Sequence, residues 1–290
     1  MKISRFYNTE YVPVQAISGK VLDDIRSVDI PENILKKIFS CLDLTSLNAE
    51  DTTGKIFKLC TALNAFHNVY PHMPDVAAVC VYPCFISMIR ENLKNTNIDI
   101  VSVAAGFPSA QTFIEIKVKE IEMAVASGAT EIDIVMPLGR FLSEQYDSVF
   151  DEIRLIKQDL EHTRLKVILE TGLLKEPGLI WKASLMAMEA GADFIKTSTG
   201  KVQPAATYEA FHVMAQAVKA YHEHADRQVG LKPAGGISTT QEALKYYYIT
   251  EQVLGPSWLT RDLFRIGASR LANALLHDIY GSGRMHTDYF

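Results

Sequence analysis

Eight short apolar runs, each followed by a longer amphipathic stretch, constrain the fold of this chain more than any other feature. The runs are FSCLDLT (39–45), DVAAVCVYP (75–83), IDIVSVAAGFP (98–108), TEIDIVMP (130–137), LKVILETG (165–172), ADFIKTSTG (192–200), QVGLKPAGG (228–236) and LFRIGAS (263–269). Stretches such as AQTFIEIKVKEIEMAVASGA and EPGLIWKASLMAMEAGA lie between them. Near-continuous apolar strands alternating with helices belong in a parallel sheet covered on its outer face. Eight such units and no ninth predict closure into a single (β/α)8 TIM barrel of the α/β class. The competing arrangement is an open doubly wound sheet, but no GxGxxG follows the first run. The expected organisation is an N-terminal extension over 1–38 with a capping helix near 31–39, the barrel over 39–281, and a flexible tail over 282–290.

A chain of 290 residues, 48% of them hydrophobic, can bury a core of this kind without disulfides or structural metal. Its net charge of -5 argues against a nucleic-acid surface. No apolar run is long enough to span a bilayer, and MKISRFYNTEYVPVQ lacks the apolar region of a signal peptide. Cys41, Cys60, Cys80 and Cys84 form no CxxC pair and no zinc-ligand spacing, so they read as reduced thiols of a cytoplasmic protein with no metal site.

Barrel chemistry sits at the C-terminal ends of the strands, and the unusual residues fall there. Asp43 and Thr45 end the first run, Asp133 lies in the fourth, Glu170 in the fifth, Lys196 in the sixth and Lys232 in the seventh. Strand alternation turns Asp133, Lys196 and Lys232 to the inside. Burial disfavours an ammonium, and each cation disfavours its neighbour, so both lysines are expected to have lowered pKa values. A lysine drawn toward neutrality is an amine nucleophile for a carbonyl, and Asp133 would balance the remaining charge and move protons. The alternative is a structural Lys–Asp–Lys network, whose desolvation makes it a poor stabiliser. Glu170 is expected to hold a lysine or a structural ion pair. Lys166, at the start of its strand, reads as a solvated charge. Cys80 reads as packing that could come near a substrate, and His222 and His224 read as surface.

Three glycine-rich segments follow the last three runs: STGK (198–201), PAGG (233–236) and IGAS (266–269). Glycines let backbone N–H groups approach an anion, and this corner of a barrel is a common phosphate site. Thr199, Gly200, Gly235, Gly236 and Gly267 belong to these loops. Lys201, Ser238, Ser269 and Arg270 can add charge or hydrogen bonds.

In their order and wording, LDLTSLN (42–48), EIDIVMP (131–137), LKVILETG (165–172), ADFIKTSTGK (192–201), GLKPAGGIST (230–239) and LFRIGAS (263–269) resemble the deoxyribose-phosphate aldolase family of class I aldolases. The resemblance spans about 40–280. It implies that Lys196 forms a Schiff base, that Lys232 keeps Lys196 deprotonated, and that Asp133 shuttles protons with a water. It places Asp43 and Thr45 near the substrate. The implied reaction is reversible cleavage of 2-deoxy-D-ribose 5-phosphate to D-glyceraldehyde 3-phosphate and acetaldehyde, within deoxyribonucleoside catabolism. No cofactor is expected, and a homodimer is the expected assembly. Two departures stand out. Ser238 occupies a position where the family often carries Arg or Lys, and Arg270 stands where a small residue is common. A cation moved between loops would preserve the phosphate contact; a solvated helix residue is the alternative for Arg270. The family's terminal tyrosine that reaches the active site would correspond to Tyr289, here followed by Phe290. Competing readings are a Schiff-base aldolase with another donor or acceptor, and a non-catalytic phosphosugar-binding barrel.

Overall fold

The computed structural model describes residues 5–13, 30–160, 162–281 and 289–290. The eight expected strands are present as β1 (Leu42–Thr45), β2 (Ala78–Val81), β3 (Asp99–Ala104), β4 (Glu131–Val135), β5 (Arg164–Ile168), β6 (Phe194–Lys196), β7 (Gly230–Lys232) and β8 (Ile266–Ala268). All pair in parallel in the order β7-β6-β5-β4-β3-β2-β1-β8. Parallel bridges Leu231–Phe264 and Ala234–Gly267 join the two ends and close the barrel.

Helices follow in chain order. They are α1 (Glu32–Ser40), α2 (Thr53–Val69), α3 (Ile86–Asn92), α4 (Ile114–Ala126), α5 (Leu138–Leu142), α6 (Tyr146–Gln158), α7 (Thr171–Leu174), α8 (Pro177–Glu189), α9 (Tyr208–Ala225), α10 (Thr240–Leu254) and α11 (Leu271–Tyr280). Their starts follow local chemistry. Thr52, Thr207 and Thr239 accept backbone N–H bonds at the N-termini of α2, α9 and α10, and Glu242 completes a capping box with Thr239. The main core lies between strands and helices. Ile132, Ile134, Val167, Ile195 and Leu231, the outward strand positions, are buried against apolar helix faces.

The helix expected near 31–39 is α1, which begins one residue later and buries Leu35, Ile38 and Phe39. Phe39 stacks on Phe66 of α2 at 5.3 Å. Phe39 and Ser40, expected to open the first strand, close this helix instead. The LKVILETG segment also divides. Its strand stops at Ile168, and Glu170 adopts a left-handed conformation (φ 50°) that turns the chain into α7. Residues 5–13 of the expected extension cross the helical layer. Phe6 stacks on His224 at 4.0 Å, Tyr7 is buried with its N–H donated to Glu189, and the Trp181 indole donates to the Thr9 carbonyl. Residues 1–4, 14–29 and 282–288 of the expected extension and tail lie outside the described residues. The last two residues are not a free end: Asn273 of α11 accepts from the backbone N–H groups of Tyr289 and Phe290 and donates to the Phe290 carbonyl.

Candidate active site

The barrel interior holds a connected ion network rather than an apolar plug. Strand register brings Asp133 beside Lys166, and aligns Ile168, Lys196 and Lys232 across β5, β6 and β7. Asp133 Oδ2 accepts from Lys196 Nζ and from Lys232 Nζ, both at 2.8 Å. Its Oδ1 accepts from Lys166 Nζ at 3.1 Å. Below this layer, Asp43 pairs with Lys232 at 2.5 Å and with Arg265 at 2.6 Å, while Glu131 pairs with Lys166 at 2.5 Å and with Arg265 at 2.9 Å. Phe194 lies among these cations, with Lys166 and Arg265 5.9 and 5.8 Å from its ring centre. Glycines make the space. A Cβ on Gly230 would come within 2.2 Å of the Phe194 ring, and one on Gly267 within 3.2 Å of the Lys232 stem.

Asp133, Lys196 and Lys232 thus converge as strand parity predicts, but the electrostatics differ from the expectation for Lys232. Burial pushes the Lys232 ammonium down; Asp133 and Asp43 outweigh it and hold the group above its ordinary range. Lys166 is raised in the same way by Asp133 and Glu131. Burial pushes the Asp133 carboxyl up, and Lys166, Lys196 and Lys232 reverse this, so it stays well below the usual carboxylate range. Two flanking carboxylates decide the sign for Lys232, which is therefore a fixed cation.

Above the network lies a cavity of about 190 Å³. Of the network's charged groups, only Lys196 lines it; Asp43, Asp133 and Lys232 are sealed below. Thr45, Thr199, Gly200, Lys201, Gly235, Gly236, Ser238, Gly267, Ser269 and Arg270 all line it, so the three glycine-rich loops do meet at one corner. Their shape is fixed by cross-loop bonds. Thr197 Oγ1 donates to the Ala234 carbonyl and accepts the Ala234 N–H, Ser198 Oγ bonds the same carbonyl, and Lys201 Nζ reaches the Leu47 carbonyl. Gly235 (φ 88°) needs its lack of side chain, because a Cβ would meet Ala205 at 2.7 Å.

Several expectations change at this site. Lys166 is not solvated: inward parity and two carboxylates bury it completely. Asp43 sits beneath the cavity as a counterion to Lys232 and Arg265, not along its wall. Among the described residues Glu170 pairs with no lysine; its carboxylate accepts from the Thr199 N–H at 3.2 Å and hydroxyl at 2.5 Å, and burial raises its pKa. The Glu242 carboxylate accepts from Ser238 N–H at 2.8 Å and takes a longer bond from its hydroxyl. Cys80 is buried beside the network, its thiol pushed up by burial, and does not line the cavity. Tyr289 donates its hydroxyl to the Ala62 carbonyl at 2.8 Å and lines a neighbouring cavity instead. His222 is only partly exposed, packed edge-on against Trp258. Glu131, Arg265, Leu47, Asn48, Ala234 and Ile237 were not anticipated. Glu131 and Arg265 were detectable as charges at the inward parity of apolar runs.

Among the described residues, no group of three or more His, Cys, Asp or Glu side chains could hold a metal, and no helix is long and apolar enough to cross a membrane. Residues 38–252 match the DeoC/LacD family aldolase profile. A Caenorhabditis elegans protein provisionally named a deoxyribose-phosphate aldolase is 44% identical over 246 residues, 83% of this chain and 80% of its own. Homo sapiens deoxyribose-phosphate aldolase is 39% identical over 261 residues, 85% of this chain and 80% of its own. Among solved structures, an aldolase designated QR15 is 28% identical with a TM-score of 0.68, covering 82% of this chain and 96% of its own. The tetrameric deoxyribose phosphate aldolase of Aeropyrum pernix, 23% identical, shares the fold at a TM-score of 0.65 over 90% of this chain and 97% of its own.

Proposed function

This chain belongs to the DeoC/LacD family of aldolases, and from that membership we propose that it is a deoxyribose-phosphate aldolase working through a Schiff base on Lys196. The observation that carries the reading is the position of Lys196: within the buried ion network, it alone opens onto the glycine-lined cavity. Its free amine attacks the C1 aldehyde of open-chain 2-deoxyribose 5-phosphate, and water leaves to give an iminium. That iminium accepts the electron pair of the breaking C2–C3 bond as the C3 hydroxyl gives up its proton, releasing glyceraldehyde 3-phosphate. The remaining enamine takes a proton at carbon, and hydrolysis returns acetaldehyde and Lys196. Asp133, held as a carboxylate 2.8 Å from Lys196, moves the protons through a water. Lys232 stays charged on Asp133 and Asp43 and supplies a fixed positive field beside the reacting nitrogen. The homodimeric, cytoplasmic form is part of the same proposal.

Borohydride reduction in the presence of acetaldehyde tests the reading directly. Peptide mass spectrometry is expected to find a reduced two-carbon adduct on Lys196. No adduct on folded protein would remove the aldolase reading and bring forward a non-catalytic phosphosugar binder.

The phosphate is proposed to sit among Gly235, Gly236, Ser269 and Arg270. The Ser238 and Thr239 N–H groups are occupied by Glu242, and no hydrogen bond or ion pair engages the Arg270 guanidinium among the described residues. Arg270→Ala is expected to raise KM for 2-deoxyribose 5-phosphate about tenfold, the loss of one charge-assisted hydrogen bond, and to spare unphosphorylated 2-deoxyribose. Equal effects on the two sugars in steady-state kinetics would place the phosphate elsewhere.

A further inference from the structure

Glu170 combines two unfavourable features. Its backbone is left-handed (φ 50°, ψ 58°), a conformation that residues with a Cβ avoid. Its carboxylate is buried, and among the described residues no cation pairs with it. The surrounding chain holds it there. The Leu169 N–H donates to the Lys196 carbonyl and the Thr171 N–H to the Thr197 carbonyl, both at 2.9 Å. Glu170 is thus clamped on either side against the segment that carries Lys196. A Cβ on Gly172 would come within 1.9 Å of the Pro204 carbonyl oxygen, so α7 lies directly against the chain that leaves this segment.

From this position the carboxylate takes both donors of Thr199, the hydroxyl at 2.5 Å and the N–H at 3.2 Å. A hydroxyl has one proton to give. With that proton on Glu170, the lone pairs of Thr199 Oγ1 face the Lys201 N–H, which donates to it at 3.0 Å. An acceptor-only group therefore sets the direction of a chain running from Glu170 through Thr199 to Lys201. Gly200 is fixed between the ends of that chain, and a Cβ on Gly235 would sit 3.0 Å from the Gly200 Cα. Thr199, Gly200, Lys201 and Gly235 line the active-site cavity, and Glu170 lies behind them.

We propose that Glu170 is a positioning residue for the sugar phosphate: by holding Thr199 it fixes the 199–201 loop against the 235–236 loop, in the shape that receives the phosphate. It touches no substrate and acts through Thr199. This deepens the aldolase reading and rests on it. Backbone strain and desolvation both oppose folding, whereas the bonds that Glu170 makes end on a loop of the cavity wall.

The test is steady-state cleavage of 2-deoxyribose 5-phosphate and of unphosphorylated 2-deoxyribose by the full chain. Glu170→Ala is expected to raise KM for the phosphorylated sugar about tenfold with kcat within about threefold, and to leave kcat/KM for the unphosphorylated sugar within about twofold. Glu170→Gln keeps an acceptor for the hydroxyl but turns an amide donor toward the Thr199 N–H, so it is expected to limit the rise to about threefold. Thr199→Val cuts the same chain, so the double variant with Glu170→Ala is expected to be no worse than the worse single. Equal losses on both sugars would make Glu170 merely structural and overturn the proposal, as would additive losses in the double variant. Should Glu170→Ala not accumulate folded, a wild-type KM in Glu170→Gln would overturn it. Folded wild type that cleaves neither sugar and gives no acetaldehyde adduct on Lys196 would overturn the aldolase reading beneath it.

Discussion

Lys196→Met is expected to lower kcat for carbon–carbon cleavage on the order of 10⁴-fold or more, and to leave the barrel at least as stable as wild type. The first half follows from covalent catalysis: without the amine there is no iminium, and no other network cation lines the cavity. The second half follows from charge. In the buried network Asp43, Glu131 and Asp133 are each paired with Lys166, Lys232 or Arg265 apart from any contact to Lys196. Among the described residues Lys196 pairs with Asp133 alone, through an oxygen it shares with Lys232. Removing it strands no carboxylate, while methionine keeps most of the stem volume. A buried lysine retained for structure would behave in the opposite way, because its loss would strand a carboxylate. Steady-state cleavage and thermal unfolding of the same preparation separate the two. Retained turnover would sink the Schiff base on Lys196, and a large drop in Tm with turnover lost would leave the residue structural.

Much of this site was legible because parity and position are local properties of sequence. Asp133, Lys196 and Lys232 alternate with Ile132, Ile195 and Leu231, and that is enough to turn them inward. The glycine loops were legible for the same reason: each directly follows a strand. The failures concern which inward charges meet. Lys166 was read as solvated because it lies near the strand's start, yet register sets it opposite Asp133 and within 2.5 Å of Glu131. Arg265 lies just before β8, and its partners Asp43 and Glu131 are 222 and 134 residues away. No local pattern encodes such pairs; they follow only once the barrel closes. The sign for Lys232 failed for the same reason. Burial and like charge are visible in sequence, whereas the second carboxylate, Asp43, comes from the opposite end of the chain.

Arg265→Met is expected to destabilise the barrel by about 3–5 kcal/mol, the usual consequence of removing one partner from a buried ion pair. A stability of about 5–15 kcal/mol makes that a large fraction, corresponding to a Tm loss of roughly 10 °C. The guanidinium is fully buried and reaches Asp43 at 2.6 Å, Glu131 at 2.9 Å and Asp99 at 3.2 Å. Methionine restores packing against Phe194 and no charge. The pH dependence distinguishes charge from packing. Burial pushes Asp43 and Glu131 up, but Lys232, Arg265 and Lys166 between them hold both below their ordinary values. A depressed folded pKa gives stability that is present above the unfolded value, near pH 4, and is lost as pH falls through the folded value. Without Arg265 the folded values rise, so protonation of Asp43 and Glu131 relieves the stranded charge instead of removing a favourable one. The Tm gap between variant and wild type is therefore expected to be widest near neutral pH and to narrow toward pH 4. A gap of constant size across that range would mean that Arg265 fills space, and that the carboxylates beneath the catalytic lysines are balanced without it.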